Sequence, residues 1–502
     1  MAQVKATIAT RVGPAVATAA VMLTGCSPVD GDVSVAGRAI GETVAGSPVA
    51  PATVREYTRD TRRIVHVSNG LVEFEIVPAL GARIVGMKAV NADWAYFRDT
   101  GNLATPNPGS YAVEYGGYEE MVGPQDRYGF GHLWGREYRI QIEKNGPDEV
   151  VVVATGEQQP LRITRRMTLR AGDTAVRLNL TLRNIAEEPT PMAVWLHNAC
   201  STGPTAGPED VFALEQKGKY RKWNYYLGTN EDFYHPTAPY WANVDSQLGE
   251  GLVWTFPHDR LTWLKWWHGG GGGGLHYGAE LTTETVVFQP GEERSYDLAY
   301  WFFSGLHDLD YVTDGNIFAL DLEPNIDDPD TVNLVLSRCA WQTGTARQAR
   351  IALLADGVKR GEGAVDLHTR TTHRAASYRV PVELGKPAEG KFVLMCALLD
   401  ANSAEIATFN KEVTVSFSAD IAVRELYADV EANMVKIRRA LKEPAGARAL
   451  EGSAAIRMQN KVVTILWGNA RNDRGSLASQ TTALRDVLKR QRKLLAMLAA
   501  AN

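Results

Sequence analysis

Three groups in this chain have types suited to proton transfer. Glu280 sits in the short apolar run Gly278-Ala-Glu280-Leu, His197 ends Val194-Trp195-Leu-His197, and His132 lies in Gly129-Phe-Gly-His132-Leu-Trp134-Gly. A carboxylate and an imidazole titrating near neutrality can serve as base and acid when both reach one substrate. Each also has a plainer reading: Glu280 as an exposed strand residue, and His197 as a buried histidine bonded to backbone. His132, among glycines and aromatics, reads as a loop residue, and loops carry ligand contacts. Glu119 and Glu120, in Glu114-Tyr-Gly116-Gly117-Tyr118-Glu119-Glu120, offer a further carboxylate. Neighbouring strand positions face opposite ways, so one of the two is expected in a cleft. No spacing of His, Cys and carboxylates makes a metal site, and neither a metal nor a cofactor is expected.

Between His197 and Glu280 lies the densest aromatic region, which includes Trp223, Trp241, Trp254, Trp263, Trp266 and Trp267, with His268 beside them. Flat rings against the C–H faces of pyranoses, with polar ring edges for hydroxyls, would make a saccharide cleft; ordinary core filling is the alternative. Lys219, Arg221, Lys222 and Lys265 are nearby cations able to pair with uronate or sulfate groups. The run from Gly269 to Gly274 lacks the strand-to-helix context and Lys-Ser/Thr ending of a phosphate cradle, and reads as a loop at the cleft edge.

These groups need a scaffold, and the chain from Ile64 to Phe303 supplies short alternating runs broken by Gly, Pro, Asp and Asn. Leu71-Val-Glu-Phe-Glu-Ile-Val77 is a half-buried strand closed by Pro78-Ala-Leu-Gly81. The absence of helical periodicity there implies a two-sheet antiparallel architecture of many strands. A second set of roughly seven short strands runs to about Phe417, after the linker Glu323-Pro-Asn-Ile-Asp-Asp-Pro-Asp330. Residues 421–442 and 477–500 have helical spacing, with Leu426, Val430, Met434, Ile437 and Leu441 on one face of the first. The basic run Lys489-Arg-Gln-Arg-Lys493 in the second is expected as the solvated face of a packed helix.

The net charge of −5 gives no attraction for nucleic acid or anionic lipid, so neither is expected as a partner. Lys5 and Arg11 precede an apolar run from Val12 to Leu23, too short to span a bilayer but suited to an export signal. Leu23-Thr-Gly25-Cys26 resembles the lipobox of bacterial lipoproteins, which implies acylation of Cys26 and a membrane contact made through that lipid alone. Residues 27–54 read as a flexible tether.

Three segments fall in the order found in the galactose-mutarotase-like superfamily, the aldose 1-epimerases and their uncharacterised relatives. Val77-Pro-Ala-Leu-Gly81-Ala-Arg83 resembles its early strand pair. Leu180 to Asn198 resembles the strands that deliver its catalytic histidine, and Gly278 to Phe303 the strand bearing its carboxylate with a Pro-Gly-Glu turn behind. The resemblance covers about half of the chain. It implies Glu280 as base and His197 as acid, held on opposite sides of a sugar ring while it opens at the anomeric carbon. His132, Arg83, Glu119, Glu120, Trp134, Trp223, Trp241 and His268 are the expected substrate contacts. The family's Asn-Arg segment and His-Gly-Gly loop are not readable here, and the Gly-Gly-x-Glu segment at Gly116 to Glu119 is similar to one in uncharacterised branches.

The expected architecture is therefore mostly β. It comprises a signal (1–26), a tether (27–54), a large antiparallel supersandwich (55–318), an immunoglobulin-like sandwich (319–418) and a helical tail (419–502). The spacing of Cys339 and Cys396 resembles the bridge between sheets of immunoglobulin-type domains, which implies a disulfide; two buried thiols are the alternative. The expected location is the bacterial cell envelope, at the outer membrane. The expected partner is a mono- or oligosaccharide, processed by epimerase-like chemistry or bound without turnover. A polysaccharide lyase or hydrolase is a third class, usually paired with a helical toroid that this chain lacks.

Overall fold

The computed structural model describes residues 50–89, 117–123, 133–203, 206–226, 228–271, 274–313, 315–324, 331–342, 344–367, 372–384, 390–415, 421–442, 448–449, 453–472 and 477–500. The first strands are β1 (Thr53–Arg59), β2 (Arg62–Ser68), β3 (Val72–Val77), β4 (Arg83–Ala89) and β5 (Gly117–Gly123). They are followed by β6 (Arg139–Asn145), β7 (Glu149–Gln158), β8 (Leu161–Arg170), β9 (Ala175–Asn184) and β10 (Thr190–Cys200). Next come β11 (Asp210–Gln216), β12 (Lys219–Asn224), β13 (Asn230–Tyr234), β14 (Tyr240–Asp245) and β15 (Glu250–Thr255). The hairpin β16 (Leu261–Gly271) and β17 (Gly274–Thr283), then β18 (Val286–Phe288) and β19 (Glu293–Ser304), complete the first sandwich.

Alternation explains these strands. In β3 the side chains of Val72, Phe74 and Ile76 are buried while Glu73 and Glu75 are half-buried, the period of a strand with one face inward. One sheet runs β1-β2-β3-β4-β5-β10-β17-β16-β13, with β18 paired to β10. The facing sheet contains β6 to β9 along with β12-β11-β14-β15-β19. Between them lies one hydrophobic core, in which Trp241 stacks on Trp266 at 3.6 Å and Trp254 on Tyr300 at 5.4 Å between ring centroids. Gly117 permits the approach of β4 to β5: at φ +83° it sits where an added Cβ would lie 2.1 Å from the Ile84 carbonyl oxygen. Only glycine fits that geometry.

A second sandwich follows. One layer holds β20 (Tyr311–Thr313), β21 (Asn316–Pro324), β22 (Thr331–Ala340) and β25 (Thr372–Glu383); the other is the sheet β24-β23-β26-β27, built from β23 (Gln348–Ala355), β24 (Val358–Asp366), β26 (Gly390–Leu399) and β27 (Glu405–Val415). This split of the strands is of the immunoglobulin type. Its core contains Leu334, Leu336, Ile351, Leu353, Leu394 and Cys396. The first layer joins the large sheet where Ser304 of β19 pairs with Arg374 of β25.

The expected Cys339–Cys396 disulfide is not formed, and both thiols are free and buried. Leu334 and Leu336 face the second core, so Cys339, of opposite parity on the same strand, faces the first, with Sγ 3.7 Å from the Ser304 carbonyl oxygen. Cys396 points into the second core, and burial pushes its thiol up to about 12.

The last part of the chain has three helices among the described residues, α1 (Ile421–Lys442), α2 (Ala454–Asn472) and α3 (Leu477–Ala500), with a core of their own. Val430, Met434 and Ile437 of α1 pack with Leu484, Val487, Leu488 and Leu494 of α3. Lys489, Arg492 and Lys493 are exposed, so the basic run is solvated. The middle helix, Ala454–Asn472, is an element that the sequence reading omitted. No helix among the described residues is long and apolar enough to cross a membrane.

Candidate functional site

Strand register assembles the site. On β10, His197 pairs with Glu119 of β5 on one side and with Glu280 of β17 on the other. Glu280 pairs in turn with Lys265 of β16, and Lys265 with Asp232 of β13. Residues directly opposite one another in antiparallel strands project from the same face, so these five form one row across the sheet. The single β4–β5 bridge, Ile84 to Tyr118, brings Arg83 to the row's end, where its guanidinium ion-pairs with Glu119. Lys265 therefore stands between the carboxylates of Glu280 and Asp232, and Arg83 beside that of Glu119, which lets these charges lie close together.

Glu119 holds His197 in one orientation. Its Oε1 lies 3.2 Å from His197 Nδ1 and its Oε2 accepts from Trp134 Nε1 at 2.7 Å. An ionised carboxylate can only accept, so Nδ1–H is the donor and Nε2 is the atom left for exchange. Nε2 points towards Gly278, where an added Cβ would lie 3.4 Å from it and 3.1 Å from the Trp267 ring. A side chain at Gly278 would therefore crowd the Trp267 ring and come up against Nε2. Glu119, His197 and Glu280 are 7 %, 4 % and 5 % exposed, while Trp195, Trp263, Lys265 and Trp267 on the same face are half-buried. Enclosed charges bordered by partly open rings form a polar floor with aromatic flanks.

Glu120 points the other way. It lies in the core between the sheets, where Arg165 of β8 donates Nε to Oε1 at 2.8 Å and pairs through Nη2 with Oε2. Burial pushes the Glu120 carboxyl upward and the Arg165 charge opposes that shift. Glu120 is thus corrected from substrate contact to sandwich ion pair.

Three aromatic assignments are also corrected. Trp241 is 1 % exposed and belongs to the inter-sheet core. Trp223 packs on the same core, stacked on Phe212 at 5.8 Å. His268 is one residue from Trp267 and therefore on the inner face, stacked on Phe212 at 5.6 Å, with Nδ1 accepting from Tyr226 N at 3.0 Å. Core filling accounts for Trp223, Trp241 and His268. Arg83, 1 % exposed, touches Glu119 and lies 5.8 Å from the Trp134 ring, so it positions the carboxylate from the end of the row. His132 and Cys26 lie outside the described residues.

Trp195 and Asp232 were not singled out from sequence, and Trp267 and Lys265 were named there only as part of the aromatic and cationic surroundings. Trp195 stands two positions from His197 on one strand, a spacing that by itself puts both on one face. Placing the other three required the pairings of β16 with β17 and β13.

No family model matches the sequence, and no curated protein matches it. Among solved structures, a TPR-domain containing protein from Parabacteroides distasonis aligns with TM-score 0.40 and 14% identity over 53% of this chain and 50% of that one, so this chain spans half its length. A galactose mutarotase-like protein from Clostridium acetobutylicum aligns with TM-score 0.36 and 11% identity, over 51% of this chain and 99% of that one. Another galactose mutarotase-like protein, from Lactobacillus casei, gives TM-score 0.37 and 11% identity over 48% of this chain and 99% of its own.

Proposed function

We propose that the outer face of the first sandwich binds a saccharide and catalyses proton transfer at its anomeric centre. In this reading Glu280 takes the proton of the anomeric hydroxyl while the His197 imidazolium gives its Nε2 proton to the ring oxygen, so the bond from that oxygen to the anomeric carbon breaks. Reclosure on either face, with the two transfers reversed, returns both protons. The supporting observation is that His197 and Glu280 are directly paired across β10 and β17 on one face. The resemblance had implied an acid and a base on opposite sides of the ring. A side-by-side arrangement also serves, because the hydroxyl and ring oxygens are bonded to the same carbon and one bound ring can present both. Opposed residues in adjacent strands have Cβ atoms about 5 Å apart, within reach of two such atoms. Glu119 keeps Nε2 aimed outward, and Trp195 and Trp267 offer ring faces to the sugar.

The test is polarimetry of a freshly dissolved, anomerically pure aldose with purified protein. Acceleration abolished in a His197→Gln variant supports the reading. Binding by calorimetry without acceleration, across a panel of aldoses, would leave a glycan-binding protein; neither binding nor acceleration would refute the site.

The same proposal places the protein in the bacterial envelope, at the outer membrane, tethered by lipid on Cys26. The leader Leu23-Thr-Gly25-Cys26 motivates this. Cys26→Ser should move the protein from the membrane to the soluble fraction, and unchanged fractionation would contradict the anchor.

A further inference from the structure

We propose that the saccharide is an oligosaccharide whose chain continues from the His197–Glu280 row onto a second row of the same face, formed by Trp195, Thr282, Trp263 and Tyr234. This rests on the saccharide reading of the first row. The second row follows from register: Trp195 pairs with Thr282, Thr282 with Trp263, and Trp263 with Tyr234. Each of its members on β10, β17, β16 and β13 lies two residues from a member of the first row, and so shares its face. Four adjacent strands span three intervals, about 14 Å, which is longer than a single pyranose.

The aromatic groups become more open along this row. Trp195 and Trp263 are half-buried, and Tyr234, on edge strand β13, is 57 % exposed. Trp263 is braced, with Nε1 donating to Asp232 at 3.1 Å and the Lys265 ammonium 5.4 Å from its ring centroid. A groove of about 310 Å³ begins there, lined by Tyr234, His235, Trp263, Thr282, Thr283 and Glu284. Thr283 and Glu284 also line a wider hollow of about 640 Å³ that reaches Arg260 and Arg294, so the space continues away from the acid and base. Ring faces followed by hydroxyl, carboxylate and guanidinium groups match a chain of sugars, whose C–H faces stack and whose hydroxyls both donate and accept. A monosaccharide seated at His197 and Glu280 would leave the exposed Tyr234 ring unused.

Calorimetry on the purified full chain tests this with glucose, galactose and glucuronate and with short linear oligomers of each. The longer ligand should bind roughly ten-fold tighter than its monosaccharide, and Tyr234→Ala should remove most of that gain while leaving monosaccharide affinity and the melting temperature unchanged. Equal affinities for monomer and oligomer, or equal losses for both in Tyr234→Ala, would overturn the extended groove and leave the first-row site standing. Oligomer binding that falls in Tyr234→Ala but is unmoved by Glu280→Gln or His197→Gln would support the groove and sink the first row instead. No binding by any saccharide of either length would end both.

Discussion

Glu119 and Glu120 are neighbours in sequence, yet they occupy opposite surfaces of one strand and illustrate two uses of a buried acid. Glu120 is closed off between the sheets by the Arg165 guanidinium, and Tyr118 and Asn198 on the same inner face belong to the packing, with Tyr300 Oη donating to Asn198 Oδ1 at 2.5 Å. Glu119 is shared among an arginine, an indole and an imidazole, and that imidazole keeps a second nitrogen on the side of Gly278 and the Trp267 ring. Burial and charge are common to both residues. What separates them is whether the network ends in a saturated pair or in an atom able to exchange a proton.

Removing the sealed acid should have the largest effect. Glu120→Ala leaves the Arg165 guanidinium uncompensated in the core and is expected to cost about 3–5 kcal/mol in chemical denaturation. Replacing Glu120 and Arg165 together by apolar residues should recover much of that loss. On the outer face, Glu280→Gln should lower the polarimetric rate by about 10²–10⁴-fold, the usual contribution of a general base. Its effect on melting should be slight, because the Lys265 left beside it is half-buried rather than sealed.

A pH effect of intermediate size comes from another enclosed acid. Burial pushes the Asp245 carboxyl from 3.8 up to about 6, against hydrogen bonds from Gln247 N and Leu248 N. The folded state then binds the proton more tightly than the unfolded chain. Its stabilising share is complete below pH ~4 and lost as pH rises through about 6. Asp245→Asn keeps an oxygen for both amides and should remove this decline, on the order of 2–3 kcal/mol between pH 4 and pH 7 in urea melts. The smallest expected effect is that of reductant. With Cys339 and Cys396 in different cores, dithiothreitol should leave the melting temperature unchanged and denatured protein should titrate as free thiols.

Alternation carried much of the fold in readable form. The burial of Val72, Phe74 and Ile76, and the apolar stripe Val430, Met434 and Ile437, follow directly from residue spacing. The opposite faces of Glu119 and Glu120 follow from the same period, although which of the two joins the outer row depended on the partner strands. Aromatic density was the weaker guide because indoles serve cores and ligands alike: Trp266 is fully buried while its neighbour Trp267 borders the site. The row itself joins residues as far apart as Glu119 and Glu280, and strand order in the sheet is what brings them together. The cysteine spacing misled for a related reason, since parity along β22 turns Cys339 towards the first core.

The central claim is that the outer row acts on sugar while the inner pair only holds the sheets together. Its most direct test measures Glu280→Gln and wild type side by side for folding by thermal melt and for mutarotation by polarimetry. The expected result is an unchanged melt with catalysis lost. A variant that stays folded and accelerates mutarotation as fast as wild type would contradict the claim.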